Sequence, residues 1–502
     1  MKRKSSWIAI ALLMLITATA AMASNGTQIG TIGGRSTAMG SAFRGLSDDW
    51  SAVFFNPAGL TQLGKLTVGA SLGTITPRGS YTPAPYSDYP SACLKTGEVD
   101  LEPKTFFVPA MAVFYRPVDK LVCGVGVFAP FGLGTEWDLI ELKDAYGNSD
   151  GISKKNEHYS DHQVITIQPT LAYEISDKLS VGLGGSYIMG KMTIDQVVMA
   201  PHPLSETWKL MQAGGMPFPD IEYRLAVENN LEGDGTAIGA NIGLLYKVTE
   251  KLQIGLSAQY YTDLALSGTI KQSQIFPGND DVIISAIEND QIPDAAFDQP
   301  EKDPNVGAIK RQKLIEGVEQ IFSGITLGNE WDVEADLPLP MTAGIGLAYK
   351  ATPKLTLTAD ASWTNWASWG EIDILPKKTG YDTLTMKQNW KDTWQIGAGA
   401  EYQATECLSV LGGLYTVDTP CPDESIKPTI LDPIRRWVLT GGVGYKTGKV
   451  AVNLTGEWVM FQDKELGSED YEYDPETGVP DNYAGLYKFS AYVVTLATQI
   501  DL

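Results

Sequence analysis

After its first two dozen residues the chain contains no uninterrupted apolar run approaching the ~20 residues that a membrane-spanning helix needs, which excludes a helical membrane protein. Positive charge is scarce too: 38 Lys and Arg stand against 60 Asp and Glu, a net charge of −22. A protein that neutralises phosphates needs a basic face, and no Lys/Arg cluster of that kind occurs, so nucleic acid is not expected as a partner. The 502 residues include only 4 cysteines, too few for a disulfide scaffold. Cys93, Cys123, Cys407 and Cys421 contain no CxxC metal pattern either. Stability must come from elsewhere.

Residues 1–23 read as an export signal. Lys2, Arg3 and Lys4 precede the apolar run Trp7 to Ile16, and Ala21-Met22-Ala23 supplies the small residues of a cleavage site, so the mature chain is expected to begin at Ser24.

The rest is organised by a repeat. The stretches AVFYRPVDKL, LAYEISDKL, LLYKVTEKL, LAYKATPKL and AEYQATECL each place a Tyr (Tyr115, Tyr173, Tyr246, Tyr349, Tyr402) before a short polar turn, and VGYKTGKV repeats the plan from Tyr445. The flanking segments alternate with period two, the mark of strands with one apolar face. Leu355, Leu357, Ala359, Ala361 and Trp363 share a face opposite Thr356, Thr358, Asp360, Ser362 and Thr364, and Val450, Val452, Leu454 and Trp458 oppose Asn453, Thr455 and Glu457. These short turns alternate with long acidic connections such as Val197 to Asp234 and Gln272 to Asp332. A sandwich would have connections of similar length at both ends; this asymmetry belongs to an outer-membrane barrel, with the repeated Tyr as one interfacial girdle. Each of the six turns joins two strands, and an opening strand (Lys65 to Tyr81) and a closing strand (Leu486 to Leu502) bring the count to fourteen. The expectation is an all-β fold, a 14-stranded antiparallel transmembrane β-barrel over residues 64–502 with long extracellular loops, in the bacterial outer membrane.

Residues 24–63 do not alternate. They are rich in Gly and Ser, include Gly33-Gly34-Arg35-Ser36 and end in Asn56-Pro57-Ala58-Gly59. A ring this wide has a lumen that its own side chains cannot fill, so the segment reads as an internal plug. Gly33, Gly34, Arg35, Asn56, Pro57 and Ala58 are its candidate gating residues. Pro57 fixes a rigid turn from plug to wall, and Asn56 can cap exposed backbone groups.

The run GGRSTAMGSAFRGLSDDWSAVFFNPAGL resembles the N-terminal hatch of the FadL/TodX family, outer-membrane transporters of long-chain fatty acids and other hydrophobic compounds. Further matches follow in order: VFAPFGL, EGDGTAIGANIGLLYK, DLPLPMTAGIGLAYK, LTADASWTNWASW, ILDPIRR and GGVGYK. The resemblance implies a hatch inside the barrel, a hydrophobic groove among the outer loops, a lumen pocket and an exit through the wall beside the third strand, with the ligand moving passively down its gradient. One departure is Ala258-Gln259, where family members often carry a Tyr-Arg pair, so the resemblance implies a hydrophobic ligand more firmly than a fatty acid.

In the third strand Pro130, Phe131 and Gly132 interrupt good strand sequence, and residues alone allow either a bulge or the end of the ladder. The resemblance favours an opening there. Candidate ligand-binding residues are Leu204, Trp208 and Met211 in one loop helix, and Ile315, Val318 and Phe322 beside Arg311 and Lys313 in another. Arg435, in the ILDPIRR match, joins them. These stripes equally suit packing of the loops on each other.

No enzyme is expected. His158, His162 and His202 fall in expected outer loops, Gly33-Gly34 lacks the preceding strand of a phosphate cradle, and no cofactor or metal is called for. Asp48-Asp49 and Asp280-Asp281 read as solvated charge or divalent-cation contacts with lipopolysaccharide. The expected partners are a hydrophobic small molecule, outer-membrane lipid, lipopolysaccharide and the barrel assembly machinery, with the protein a monomer. If a disulfide forms, Cys93 with Cys421, both in outer loops, is the expected pair. The alternative function is a non-transporting barrel acting as an adhesin or structural protein.

Overall fold

The computed structural model describes residues 25–84, 94–141, 158–201, 224–278, 280–289, 312–313, 315–319, 326–378, 380, 383–429, 434–467 and 483–502. The wall strands are β1 (Leu66–Pro83), β2 (Phe106–Val118), β3 (Leu121–Trp137), β4 (His158–Ser176), β5 (Leu179–Pro201) and β6 (Arg224–Lys247). Four strands follow in two segments each: β7 (Leu252–Tyr261, Leu264–Ile275), β8 (Thr326–Leu337, Thr342–Thr352), β9 (Leu355–Thr364, Glu371–Pro376) and β10 (Leu384–Lys387, Thr393–Gln403). The last are β11 (Leu408–Val417), β12 (Arg436–Thr447), β13 (Val450–Phe461, Lys464–Leu466) and β14 (Gly485–Asp501). Each is antiparallel to its neighbours in sequence, and β14 pairs with β1 from Thr67 opposite Asp501 to Pro83 opposite Gly485. Pairing of β14 with β1 closes the ring of fourteen, so neither the first nor the last strand is left as a free edge in lipid.

The patterning of an ordinary protein is inverted. Leu, Val, Ile and aromatic side chains point outward, as at Leu183, Ile238, Ile396 and Leu496, all more than half exposed, while Thr, Ser, Asn and Gln point in. The Tyr before each short turn (Tyr115, Tyr173, Tyr246, Tyr349, Tyr402, Tyr445) is exposed on this outer face, and Tyr260, Trp394, Trp437, Trp458 and Tyr492 form a second belt. On β10 and β12 the two belts lie eight residues apart, from Trp394 to Tyr402 and from Trp437 to Tyr445. At ~3.4 Å per residue and a ~40° tilt that is about 21 Å, close to the ~25 Å apolar band of an outer-membrane barrel.

Strands run further out than alternation indicated. β5 and β6 reach Pro201 and Arg224, inside the connection expected from Val197 to Asp234. Here polar residues fall on both faces of the ribbon, so Glu228, Asn229, Asn230 and Glu232 carry no apolar period to read. His158 and His162 are corrected in the same way. Both lie on β4 rather than in a loop, facing inward and buried, at 1% and 2% exposure. Four strand residues separate them by about 13 Å, too far for a shared metal.

Helices are few among the described residues: a stretch within 312–319, and α1 (Gly34–Ala38), α2 (Ala52–Phe55) and α3 (Asp280–Glu288). The last was not anticipated, although Ile283, Ala286 and Ile287, all buried, show its spacing.

Candidate functional site: the internal segment, the lumen and the break in the wall

Residues 25–63 lie inside the ring. The last carbonyls of a short helix have no partner within it, and at α2 the wall supplies them. Gln168 Nε2 and Asn241 Nδ2 donate to the Val53 carbonyl at 2.8 and 3.0 Å, and Ser257 Oγ donates to that of Phe55 at 2.7 Å. Gln259, where the resemblance would place an arginine, donates to the Phe54 carbonyl. Asn56 Oδ1 accepts from the Ala58 amide at 3.1 Å, while its Nδ2 donates to the carbonyls of Arg44 and Leu244 at 3.0 and 3.1 Å. Pro57 then opens the 3-10 turn Pro57–Gln62, and Arg116 Nη2 donates to the Thr61 and Leu63 carbonyls at 2.6 and 2.8 Å.

Two arginines tie the segment to the wall. Arg35 pairs with Glu401 of β10, Nε to both carboxylate oxygens at 3.1 Å, and with Asp48; Arg44 pairs with Asp360 of β9 and donates to Ser257 Oγ at 3.0 Å. Asp48 and Asp49 are therefore inside the barrel, not against lipopolysaccharide. Asp49 accepts from the amide and hydroxyl of Ser51 at 2.8 and 2.6 Å. Buried ion pairs add little net stability but fix position, because removing one partner strands the other charge.

Glycine makes this approach possible. A Cβ at Gly255 would collide with the Arg44 carbonyl, at Gly243 with Asn56 Oδ1, and at Gly397 with the Gly40 carbonyl. Gly243→Val is expected to unseat the segment in a barrel that still assembles. Limited trypsin digestion of the folded protein should then cut after Arg35 and Arg44, which wild type resists; equal resistance would contradict the close packing.

Burial outweighs the nearby Arg35 charge and raises the Asp49 carboxyl from its ordinary range to about 6. An acid with a raised folded-state pKa stabilises the fold at low pH, and this contribution is lost as pH rises through about 6. Asp49→Asn should therefore raise the thermal midpoint in detergent at pH 8 relative to wild type and leave it nearly unchanged at pH 4. The same increment at both values would exclude the ionisation.

The wall is interrupted between β2 and β3. Their ladder climbs from the Val118/Leu121 turn to Ala110 opposite Phe128 and goes no further. On its other side β3 carries a bulge: Phe128 lies opposite Thr166 and Phe131 opposite Val164, so Ala129 and Pro130 share Ile165. Pro130 has no N–H to give, and its carbonyl accepts from the Ile29 amide at 2.8 Å while the Gly132 amide donates to the Thr27 carbonyl at 2.8 Å. A short stretch of the internal segment has thus taken β2's place as partner of β3. Contact resumes where the Glu102 amide donates to the Glu136 carbonyl at 2.9 Å. Between these points no backbone hydrogen bond joins β2 and its extension to β3 among the described residues.

Behind the break lie two adjoining cavities. One lies among Ile29, Ile75, Tyr415, Val459, Phe461 and Val493 and is partly open to solvent. The other runs past Ile32 and Ile75 to Val108 and Ala110, the β2 residues at the foot of the break. Glu457 lines both. Further out Trp366, Trp369 and Trp390 pack together, with Trp369 and Trp390 stacked at 4.5 Å between centroids.

Of the residues proposed from sequence, Gly33, Gly34 and Arg35 form the start of α1 against the wall, and Asn56, Pro57 and Ala58 lie buried in the turn above. Pro130, Phe131 and Gly132 sit at the break. Leu204, Trp208, Met211, Arg311, Phe322, His202 and Cys93, and with Cys93 the proposed pair with Cys421, lie outside the described residues, as do residues 1–23, expected from sequence to be an export signal. Lys313 is exposed, Ile315 half-buried and Val318 buried in a helical stretch. Arg435 is half exposed and paired with Asp418 at 3.1 Å, away from the lumen. Its neighbour Arg436 is the one turned inward, 1% exposed with its guanidinium 5.4 Å from the centre of the Phe461 ring. Strand alternation decides between adjacent arginines, and the register needed to apply it begins only at Trp437. Glu457 and Tyr415 were also missed, although the alternation of β13 had placed Glu457 on the lumen face.

A family described as outer membrane protein transport protein (OMPP1/FadL/TodX) matches residues 12–501. A long-chain fatty acid transport protein of Escherichia coli is 23% identical over 458 residues, 88% of this chain and 89% of that protein. Crystal structures of a Pseudomonas aeruginosa FadL homologue (TM-score 0.67, 17% identity, 96% of this chain and 100% of that one) and of the P. putida toluene transporter TodX (0.65, 15%, 94% and 99%) share the fold.

Proposed function

The chain belongs to the OMPP1/FadL/TodX family of outer-membrane transport proteins, and from that membership we propose that it carries hydrophobic molecules, long-chain fatty acids or similar, inward without an energy source. The protein is a bacterial outer-membrane transporter of hydrophobic compounds, not an enzyme. On the finer reading the ligand is captured among the outer loops, passes to the lumen cavities and leaves sideways between β2 and β3 near Pro130. The observation that carries this reading is the missing ladder above Ala110 and Phe128, with an apolar cavity leading to Ala110. Unpaired backbone at membrane depth is tolerable only where it lines a cavity or meets other protein. Here Thr27 and Ile29 meet it from inside, so withdrawal of that stretch would open the path. An apolar molecule leaving there enters the lipid directly and never crosses water as a free solute. Residues 1–23 serve as the cleaved export signal and residues 24–63 as the hatch.

Extraction in mild detergent followed by mass spectrometry tests the capture step. Bound amphiphile retained by the wild-type barrel is expected; a barrel that comes out empty from cells supplied with fatty acids and hydrocarbons would favour an adhesin or structural role.

A further inference from the structure

The two lumen cavities are walled by aliphatic and aromatic side chains, glycines and hydroxyls, and Glu457 is the charged residue on both linings. It projects inward from β13 between Thr455 and Val459 and is 6% exposed. Asp360 and Glu401, inward carboxylates elsewhere in the wall, hold Arg44 and Arg35 of the internal segment. Glu457 holds neither: Oε2 accepts from Tyr415 Oη at 3.3 Å, and no ion pair reaches it among the described residues. The inward cation of the neighbouring strand, Arg436, lies opposite Phe461 while Glu457 lies opposite Thr440. Four strand residues, about 13 Å, separate them along the wall. A buried carboxyl with one neutral partner is costly to keep, and it has no evident task in seating the hatch.

We propose that Glu457, positioned by Tyr415, sets the ligand class of the lumen: uncharged amphiphiles that carry an O–H donor, such as long-chain alcohols or alkylphenols, in preference to carboxylates. The proposal rests on the transport reading above and narrows it. A hydroxyl on an apolar chain can donate to a Glu457 oxygen while the chain lies along Ile75, Val459 and Val493. A carboxylate head at the same place either sets a second negative charge beside the first or requires a proton to be bound between them, and no cation on these linings compensates.

The test is competitive binding to the full chain in detergent with two probes of equal chain length, dodecanol and dodecanoate, at pH 8. Wild type should prefer dodecanol. Glu457→Gln keeps the volume and an acceptor and removes the charge, so dodecanoate should bind about tenfold tighter and dodecanol change by less than about threefold. Glu457→Leu removes the acceptor as well, so dodecanol should weaken about tenfold while dodecanoate still gains. A merely structural role would lower both affinities together. An unchanged preference in both correctly assembled variants would overturn the proposal and leave the transport reading standing. If wild type binds neither probe, the transport reading fails and the proposal falls with it.

Discussion

Deleting Gly26 to Phe43 is expected to turn a tight barrel into a leaky one, raising the efflux of small hydrophilic solutes from liposomes by at least about tenfold, since a lumen of fourteen strands is wider than its own side chains can fill. What fills it is visible residue by residue. Ala38 and Gly34 carbonyls accept from Thr440 and Thr455 of the wall at 2.7 Å each, and Arg35 and Arg44 hold Glu401 and Asp360. Removing residues 26–43 leaves three inward groups, Thr440, Thr455 and Glu401, without their mates, which water will enter to solvate. A graded form of the experiment is Arg44→Ala, which strands Asp360 in the wall and should leak less than the deletion but more than wild type. Efflux from the deletion variant equal to that of the intact protein would show that residues 26–43 do not block the lumen.

Closing the wall should have the opposite signature, abolishing uptake while binding at the outer loops persists. Pro130→Val with Gly132→Val gives β3 back an N–H at position 130 and removes the freedom of glycine at 132, both of which favour a continuous ladder with β2. The bulge opposite Ile165 would then have to be absorbed elsewhere, so assembly must be checked by the heat-dependent gel mobility of a folded barrel. Uptake of dodecanol or dodecanoate, whichever wild type takes up faster, is expected to fall to the background of cells lacking the protein.

The barrel was legible because the bilayer imposes a strict alternation and the repeated Tyr marks each inner turn. Tyr402 and Trp394, eight residues apart, are a pair of belts readable without coordinates. The upper half of β6 was not legible, since Glu228, Asn229, Asn230, Glu232 and Asp234 put polar residues on both faces and leave Leu231 as the one apolar residue between them, with no period to read. The internal segment could be recognised by its composition, but its seating could not. Nothing local tells that Gly255 faces the Arg44 carbonyl or that Gln259 holds Phe54, contacts across more than 200 residues. At the break, Pro130 announced a fault in the strand, whereas the exchange of partners from β2 to Thr27 and Ile29 is a tertiary event with no local signal. The adjacent arginines are the clearest case: ILDPIRR drew attention to Arg435, and the pleat turned Arg436 inward instead.

The proposed exit between β2 and β3 can be closed reversibly. Pro109→Cys with Ala129→Cys places one thiol on each side of the break, at the first positions above the last paired couple, Ala110 and Phe128. Uptake by this variant, measured oxidised and then after reduction in the same cells, separates closure from misfolding. No uptake above background is expected when the pair is bridged, with recovery on reduction. Uptake at the wild-type rate with the bridge formed in all of the protein would contradict that exit and direct the path through the hatch.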